Sequence, residues 1–244
     1  MRGKKGSHVG VVLSFVIFIA FLIFIFTVLQ PKLNLTGEDK QSIADYLRVE
    51  LLNNFTSNLT TVFINVTSSN NPNQACIKLI DLIYNVSIIP KIIVQNETNA
   101  NLSARVVGND LDINRDNLDN RFFKVYSSAY FNDITNTQDF SNCKELYLDS
   151  DYSVNLKETE AFVFENLINS TIQSYKSDYP SLKTAFNIPS DSEFGIIFKN
   201  ADGVINQPNF NVTQNSNVYS DDVPILYVGK DGNIKSGSLQ ILVW

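Results

Sequence analysis

The sequence predicts an α+β ectodomain, an antiparallel sheet with two main helices, carried on one N-terminal transmembrane helix. Three observations predict it. Val9 to Leu29 is a 21-residue run without a charged residue. Two later stretches repeat apolar residues at steps of three and four, the period of a half-buried helix. Most of the remaining segments are short and rich in β-branched and aromatic residues, as strands are.

Residues 1–8 read as a cytoplasmic basic stub carrying Arg2, Lys4 and Lys5. Residues 9–29 read as the transmembrane helix. At 1.5 Å per residue the run is about 31 Å long, the thickness of a bilayer's hydrocarbon core. A secretory h-region is shorter, about 7–15 residues, and ends in small residues at its cleavage site. This run ends Phe26-Thr27-Val28-Leu29-Gln30-Pro31, so the segment reads as retained, with Pro31 stopping the helix. Phe15, Phe18, Phe21 and Phe24 recur every third residue. A step of three turns the stripe by about −60°, so the rings spread over half the circumference and read as lipid-facing bulk. The cations before the span set the orientation: a single-pass protein of the cell membrane, N-terminus cytoplasmic and C-terminal domain extracellular.

Residues 30–244 read as the extracytoplasmic α+β domain, with a subdomain seam placed near Ser150. Thr36 with Asp39 forms a variant capping box, and Ile43, Leu47, Leu51 and Phe55 follow at steps of four, giving a helix over Gly37–Asn54. A second helix is expected over Leu156–Tyr175. Asn155 is its cap, Glu158 sits at the reciprocal position, and Ala161, Phe164, Ile168, Ile172 and Tyr175 line one face. Tyr179-Pro180 interrupts it, and a short turn follows over Leu182–Phe186. The strand candidates are TTVFINV, VSIIPKIIVQ, LSARVV, FFKVYSSAYF, FGIIFK and ILYVG. Gly229 to Asn233 reads as a tight turn in a hairpin that closes at Gln240–Trp244.

Charge is uneven. Residues 1–32 carry four cations and no acid, so the remainder holds 15 cations and 25 acids, a net −10. A domain that acidic repels nucleic acid, which is therefore not an expected partner. Asn-x-Ser/Thr sequons begin at Asn34, Asn54, Asn58, Asn65, Asn85, Asn96, Asn101, Asn169 and Asn211. That is about twice the chance number, and it supports glycosylation of an exported surface. Cys76 and Cys143 read either as one disulfide closing a long loop or as two thiols, one of them buried.

Catalytic signals are missing. His8 is the only histidine and lies at the mouth of the apolar run. The rest of the chain therefore offers no Ser-His or Cys-His pair and no histidine zinc ligand. It has no Gly-rich phosphate loop, CxxC or HExxH either. The expectation is a protein that is not an enzyme and carries no cofactor. One metal candidate stands out: Asp110, Asp112, Asn114 and Asp116 supply oxygens at alternate positions, as a calcium loop does. Arg115 and Arg121 stand where such a loop needs Gly and Glu. Leu111 and Ile113 alternate with the polar residues, the pattern of a half-exposed strand.

Lys4-Lys5-Gly6 followed by Ser7-His8-Val9 resembles the class III signal peptide of archaeal type IV pilin-like proteins. In that family a peptidase cuts after the Gly and the apolar helices bundle into a filament. The resemblance implies a processing junction at Gly6-Ser7. Many such subunits carry Glu at mature position five, where this chain has Val11. YPSLKTAFNIPSDSEFGIIF is similar to segments of pilin-like ectodomains.

The functional expectation is a single-pass membrane-anchored extracytoplasmic protein with a non-catalytic surface or binding role. Its partners are membrane lipid and other pilin-like or cell-surface subunits. The alternative is a pilin-like structural subunit processed after Gly6. An exported enzyme is the remote third reading.

Overall fold

Two helices open the chain, α1 (Ser7–Leu33) and α2 (Thr36–Phe55), and α2 passes directly into strand β1 (Thr56–Val66) without a loop. The structure is a computed structural model. It describes residues 7–33, 36–67, 74–115, 120–132, 140, 142–209 and 217–244, with side chains over Val12–Ile25 and from Asp39 onward.

After β1 come β2 (Cys76–Leu79), α3 (Leu82–Val86), β3 (Ile92–Asn96), β4 (Asn101–Leu102), β5 (Ala104–Val107), β6 (Asp110–Asn114), β7 (Phe122–Ser127) and β8 (Lys144–Leu146). The long strand β9 (Tyr152–Phe164) runs straight into α4 (Glu165–Ser177) and then α5 (Tyr179–Ala185). The chain continues through β10 (Phe194–Lys199), β11 (Ile205–Asn206), β12 (Tyr219–Val228) and β13 (Ile234–Val243). Nine strands form one sheet in the order β11-β10-β13-β12-β9-β1-β7-β3-β4, and four form a second in the order β5-β6-β2-β8.

Three apolar cores hold these layers. In the first, Ala44, Leu47, Leu51 and Phe55 of α2 and Ile168 and Ile172 of α4 pack on Phe194, Ile196, Val223, Leu239 and Ile241 of β10, β12 and β13. In the second, Val62, Ile64, Val94, Phe123 and Val125 of the large sheet meet Ile77, Leu79, Leu111 and Ile113 of the small one. The third gathers Leu59, Phe131, Phe164 and Val228 where β1, β9 and β12 meet. Alternation builds the sandwich: along β1, Leu59, Val62, Ile64 and Val66 are buried between more exposed neighbours. The large sheet also curls on itself. Gln95 of β3 donates to the side-chain oxygens of Asn101 and Asn233, each at 2.9 Å, which ties β3 and β4 to the β12–β13 turn.

The expected fold class is corrected. The described residues are mostly sheet, with thirteen strands and five helices in place of two main ones. The large sheet is mixed, not antiparallel, because β9 and β12 run parallel where they touch. The helix expected over Leu156–Tyr175 begins only at Glu165. Its first nine residues are strand because β1 offers an eleven-residue ladder, from Thr56↔Val163 to Val66↔Tyr152, which outweighs local helical periodicity.

The single-pass membrane placement, with the N-terminus cytoplasmic and the C-terminal domain extracellular, is corrected as well. Among the described residues no helix is long and apolar enough to cross a membrane. The α1 backbone also continues two residues beyond the expected stop at Pro31. Across the position of the expected seam near Ser150, residues 56–66 pair with residues 152–163.

Candidate functional site

The most distinctive surface is α1. Its apolar side chains from Val12 to Phe24 are exposed, from 38% at Ile19 to 64% at Phe15. None of them belongs to the three cores. The apolar residues surround the helix rather than forming one stripe, so burying them takes neighbours on several sides. Gly6 of the expected junction lies outside the described residues, and Ser7 is the first residue of α1.

The metal candidate lies on β6, not on a loop that wraps an ion. Asp110 accepts from the Asp81 backbone N–H at 2.9 Å. Asp112 is wholly buried and receives the Arg105 guanidinium at 2.6 Å. Its second oxygen, Oδ1, is buried with no hydrogen-bond partner among the described residues. Asn114 stands opposite Cys76 on β2, and Asp116 lies outside the described residues. Among the described residues no three His, Cys, Asp or Glu side chains are grouped to hold a metal ion. The strand register explains the arrangement. Arg105, Asp112, Lys78 and Glu145 stand side by side across β5, β6, β2 and β8, a row of alternating charge on the small sheet. Phe140 covers one end, its ring centroid 4.8 Å from the Arg105 guanidinium carbon.

Cys76 and Cys143 form a disulfide with Cα atoms 4.5 Å apart, closing a separation of 67 residues. It staples the start of β2 to the segment entering β8, beside the parallel β2–β8 pairing.

The sequons divide into two groups. Asn54, Asn58 and Asn85 are exposed, and Asn65 is half-buried in β1. Asn96, Asn101 and Asn169 are structural. The Asn96 side-chain oxygen accepts from Thr98 N–H, Thr98 hydroxyl and Ala100 N–H. Asn101 donates to the Asp231 carbonyl, and Asn169 accepts from Asn206. Asn34 and Asn211 lie outside the described residues.

Sequence reasoning missed a polar cluster under α5. Tyr179 donates its hydroxyl proton to Glu193, and Lys183 pairs with the same carboxylate at 2.9 Å. Burial, reinforced by Glu193, pushes the Tyr179 hydroxyl well above the ordinary tyrosine value. Burial opposes ionisation of Glu193, yet the Tyr179 and Lys183 bonds prevail and hold its carboxyl below the ordinary value. Tyr179 and Lys183 lie one turn apart on α5, and Glu193 stands just before β10, so only the fold brings the carboxylate to them. The cluster closes on itself and braces α5 to β10.

Two shallow cavities mark the described surface. One of about 280 Å³ is lined by Ile92, Ile93, Asn101, Ser103 and Lys230 among others. The other, about 360 Å³, lies between Asp39, Ser42 and Ile43 of α2 and Pro189, Asp191 and Ser192. Hydroxyl and charged groups share both linings: Ser103 with Lys230 in the first, and Ser42 and Ser192 with Asp39 and Asp191 in the second. Comparison with known proteins finds no family model, no curated protein and no solved structure that matches this chain.

Proposed function

We propose that this protein has a non-catalytic, structural role, as a pilin-like subunit that assembles with copies of itself through α1. One observation carries the reading: an apolar helix stands outside every core of its own domain, with Val12, Leu13, Phe15, Val16, Ile17 and Phe18 each more than half exposed. Fully burying side chains of this size is worth roughly 1.5–3 kcal/mol each, so a few of them offset much of the entropic cost of association. Because α1 is apolar on every side, a pair of helices leaves part of it wet and a bundle covers more. The Lys4-Lys5-Gly6 sequence before Ser7, which resembles a processing site, favours the same reading.

The test joins two measurements on protein purified from its native source. N-terminal sequencing is expected to read Ser7 as the first residue. Sedimentation velocity is expected to show large assemblies that Phe18→Glu reduces to monomers with an unchanged circular dichroism spectrum. A chain that begins before Gly6 and sediments as a monomer would sink the proposal.

A further inference from the structure

Strand β9 is paired along one side only. Its ladder with β1 runs from Tyr152 to Val163, with a bulge at Asn155. On its other side β12 touches it only at Tyr227↔Val163 and Val228↔Phe164. From Asn155 to Phe162 that second edge has no strand partner among the described residues, and Asn155 through Ala161 are all exposed. The outer borders of both sheets are handled differently: β11 and β4 are two residues long, β8 three and β5 four. Such short edges offer little to pair with. The facing edge of β12 is also closed, since Pro224 supplies no N–H there and Asp221 is held toward Arg48 of α2 at 3.8 Å. β9 contains no proline, so it keeps every backbone donor.

The side chains along this edge select a partner. Glu158 and Glu160 share one face of β9, about 6.6 Å apart at strand rise, and neither has an ion-pair partner among the described residues. The opposite face is already engaged: Thr159 bonds Thr60, and Lys157 donates to the Val86 carbonyl at 2.7 Å. We propose that the open edge of β9 receives an extended segment of a partner protein with lysine or arginine at two alternate positions, adding a strand beside Leu156–Phe162. Backbone bonds along the edge supply affinity and the two carboxylates supply register.

A second copy of β9 is a poor occupant. Two-fold pairing of identical antiparallel strands requires an axis normal to the sheet, so opposed residues share a face and their numbers sum to an even value. The central registers then set Glu158 against Glu158, Glu158 against Glu160, Glu160 against Glu160 or Lys157 against Lys157. Each places like charges directly opposite. This inference does not depend on assembly through α1.

The test uses the 244-residue chain dispersed in a non-ionic detergent. The probe is a fluorescent hexapeptide, Thr-Lys-Val-Lys-Val-Thr, beside a control peptide with glutamine for both lysines. The lysine peptide is expected to bind and to raise hydrogen-exchange protection of amides 155–162. The double change Glu158→Lys with Glu160→Lys is expected to weaken binding by about tenfold, while Asp191→Lys leaves it unchanged. Hydrogen exchange on the unaltered chain keeps the test valid should the double variant misfold. Binding without protection of 155–162 means that the acidic surface merely attracts cations, and it overturns the proposal. Absence of binding means that the charges only keep the edge unpaired, and it overturns the proposal equally. Concentration-dependent protection of this segment without peptide assigns the edge to a second copy and also overturns it.

Discussion

The Arg105 guanidinium lies 2.6 Å from the Asp112 carboxylate, and the two side chains occupy different media: Asp112 has no exposure, while Arg105 keeps 45%. The register of β5 and β6 puts them directly opposite. The arginine can recover water if its partner is lost, but the aspartate cannot.

The two single substitutions should therefore be unequal. Arg105→Ala leaves an uncompensated buried carboxylate and is expected to cost about 3 kcal/mol or more. Asp112→Leu removes the buried charge and lets Arg105 turn outward, so it is expected to cost less than half as much. Urea unfolding of both variants and of the double variant measures this. Equal losses would show that the pair is not asymmetric in the way its burial implies.

The disulfide gives a second prediction. It closes 67 residues, and the chain-entropy model assigns such a loop about 4 kcal/mol. Cys76→Ala combined with Cys143→Ala is expected to lower stability by roughly that amount, and hydrogen exchange should rise first at β8, whose three residues pair only with β2 among the described residues. A reduced chain as stable as the oxidised one would show that β8 holds without the staple.

Much of the local structure was legible. The four-step repeat Ile43, Leu47, Leu51, Phe55 marked α2 to within one residue at each end. The Gly229–Asn233 turn does join two long strands, β12 and β13. What was illegible depended on distant partners. Asn155 and Glu158 looked like a cap and its reciprocal residue, but β1 claims the segment as strand. LIYNV carried no helix signal, yet it forms the short helix α3, entered and left through residues of positive φ, Asp81 and Ser87. Along β6 both patterns were visible at once, acidic oxygens on one side and Leu111 and Ile113 on the other. Only the register showed that Asp112 faces Arg105. The open edge of β9 left no trace in the sequence, because a missing neighbour is a property of the whole sheet.

Buried tyrosines predict an alkaline weakness. Tyr175 and Tyr152 are each pushed up to about 12, in both cases chiefly by burial. A hydroxyl that keeps its proton in the fold and loses it near pH 10 when unfolded stabilises the fold fully below pH 10. That contribution is lost as pH rises from 10 through 12, on the order of 2 kcal/mol for each by pH 12. Tyr175→Phe is expected to cost some stability at pH 7, through its bond to the Phe194 carbonyl, and to flatten the alkaline decline. Urea midpoints at pH 7, 10, 11 and 12 decide it. A parallel decline in both proteins would remove Tyr175 as a cause.

Gly237 is the position where a single methyl should do most harm. It lies in β13 between β10 and β12, opposite Ile225. A Cβ there would sit 2.6 Å from the Lys199 carbonyl oxygen and 3.0 Å from the Tyr227 ring. The first is backbone and the second belongs to a ring only 1% exposed, so neither can yield without opening the sheet or the core. Gly108 provides the contrast: its added Cβ would meet nothing within 4 Å, but its φ is +62°. Gly108→Ala is then expected to cost about 1 kcal/mol, from backbone strain alone. Gly237→Ala should cost about 3 kcal/mol, in the range of an overpacked core. Denaturant unfolding of the two variants compares a steric penalty with a conformational one. If Gly237→Ala proved the milder change, β10, β12 and β13 would have to be packed more loosely than their register implies.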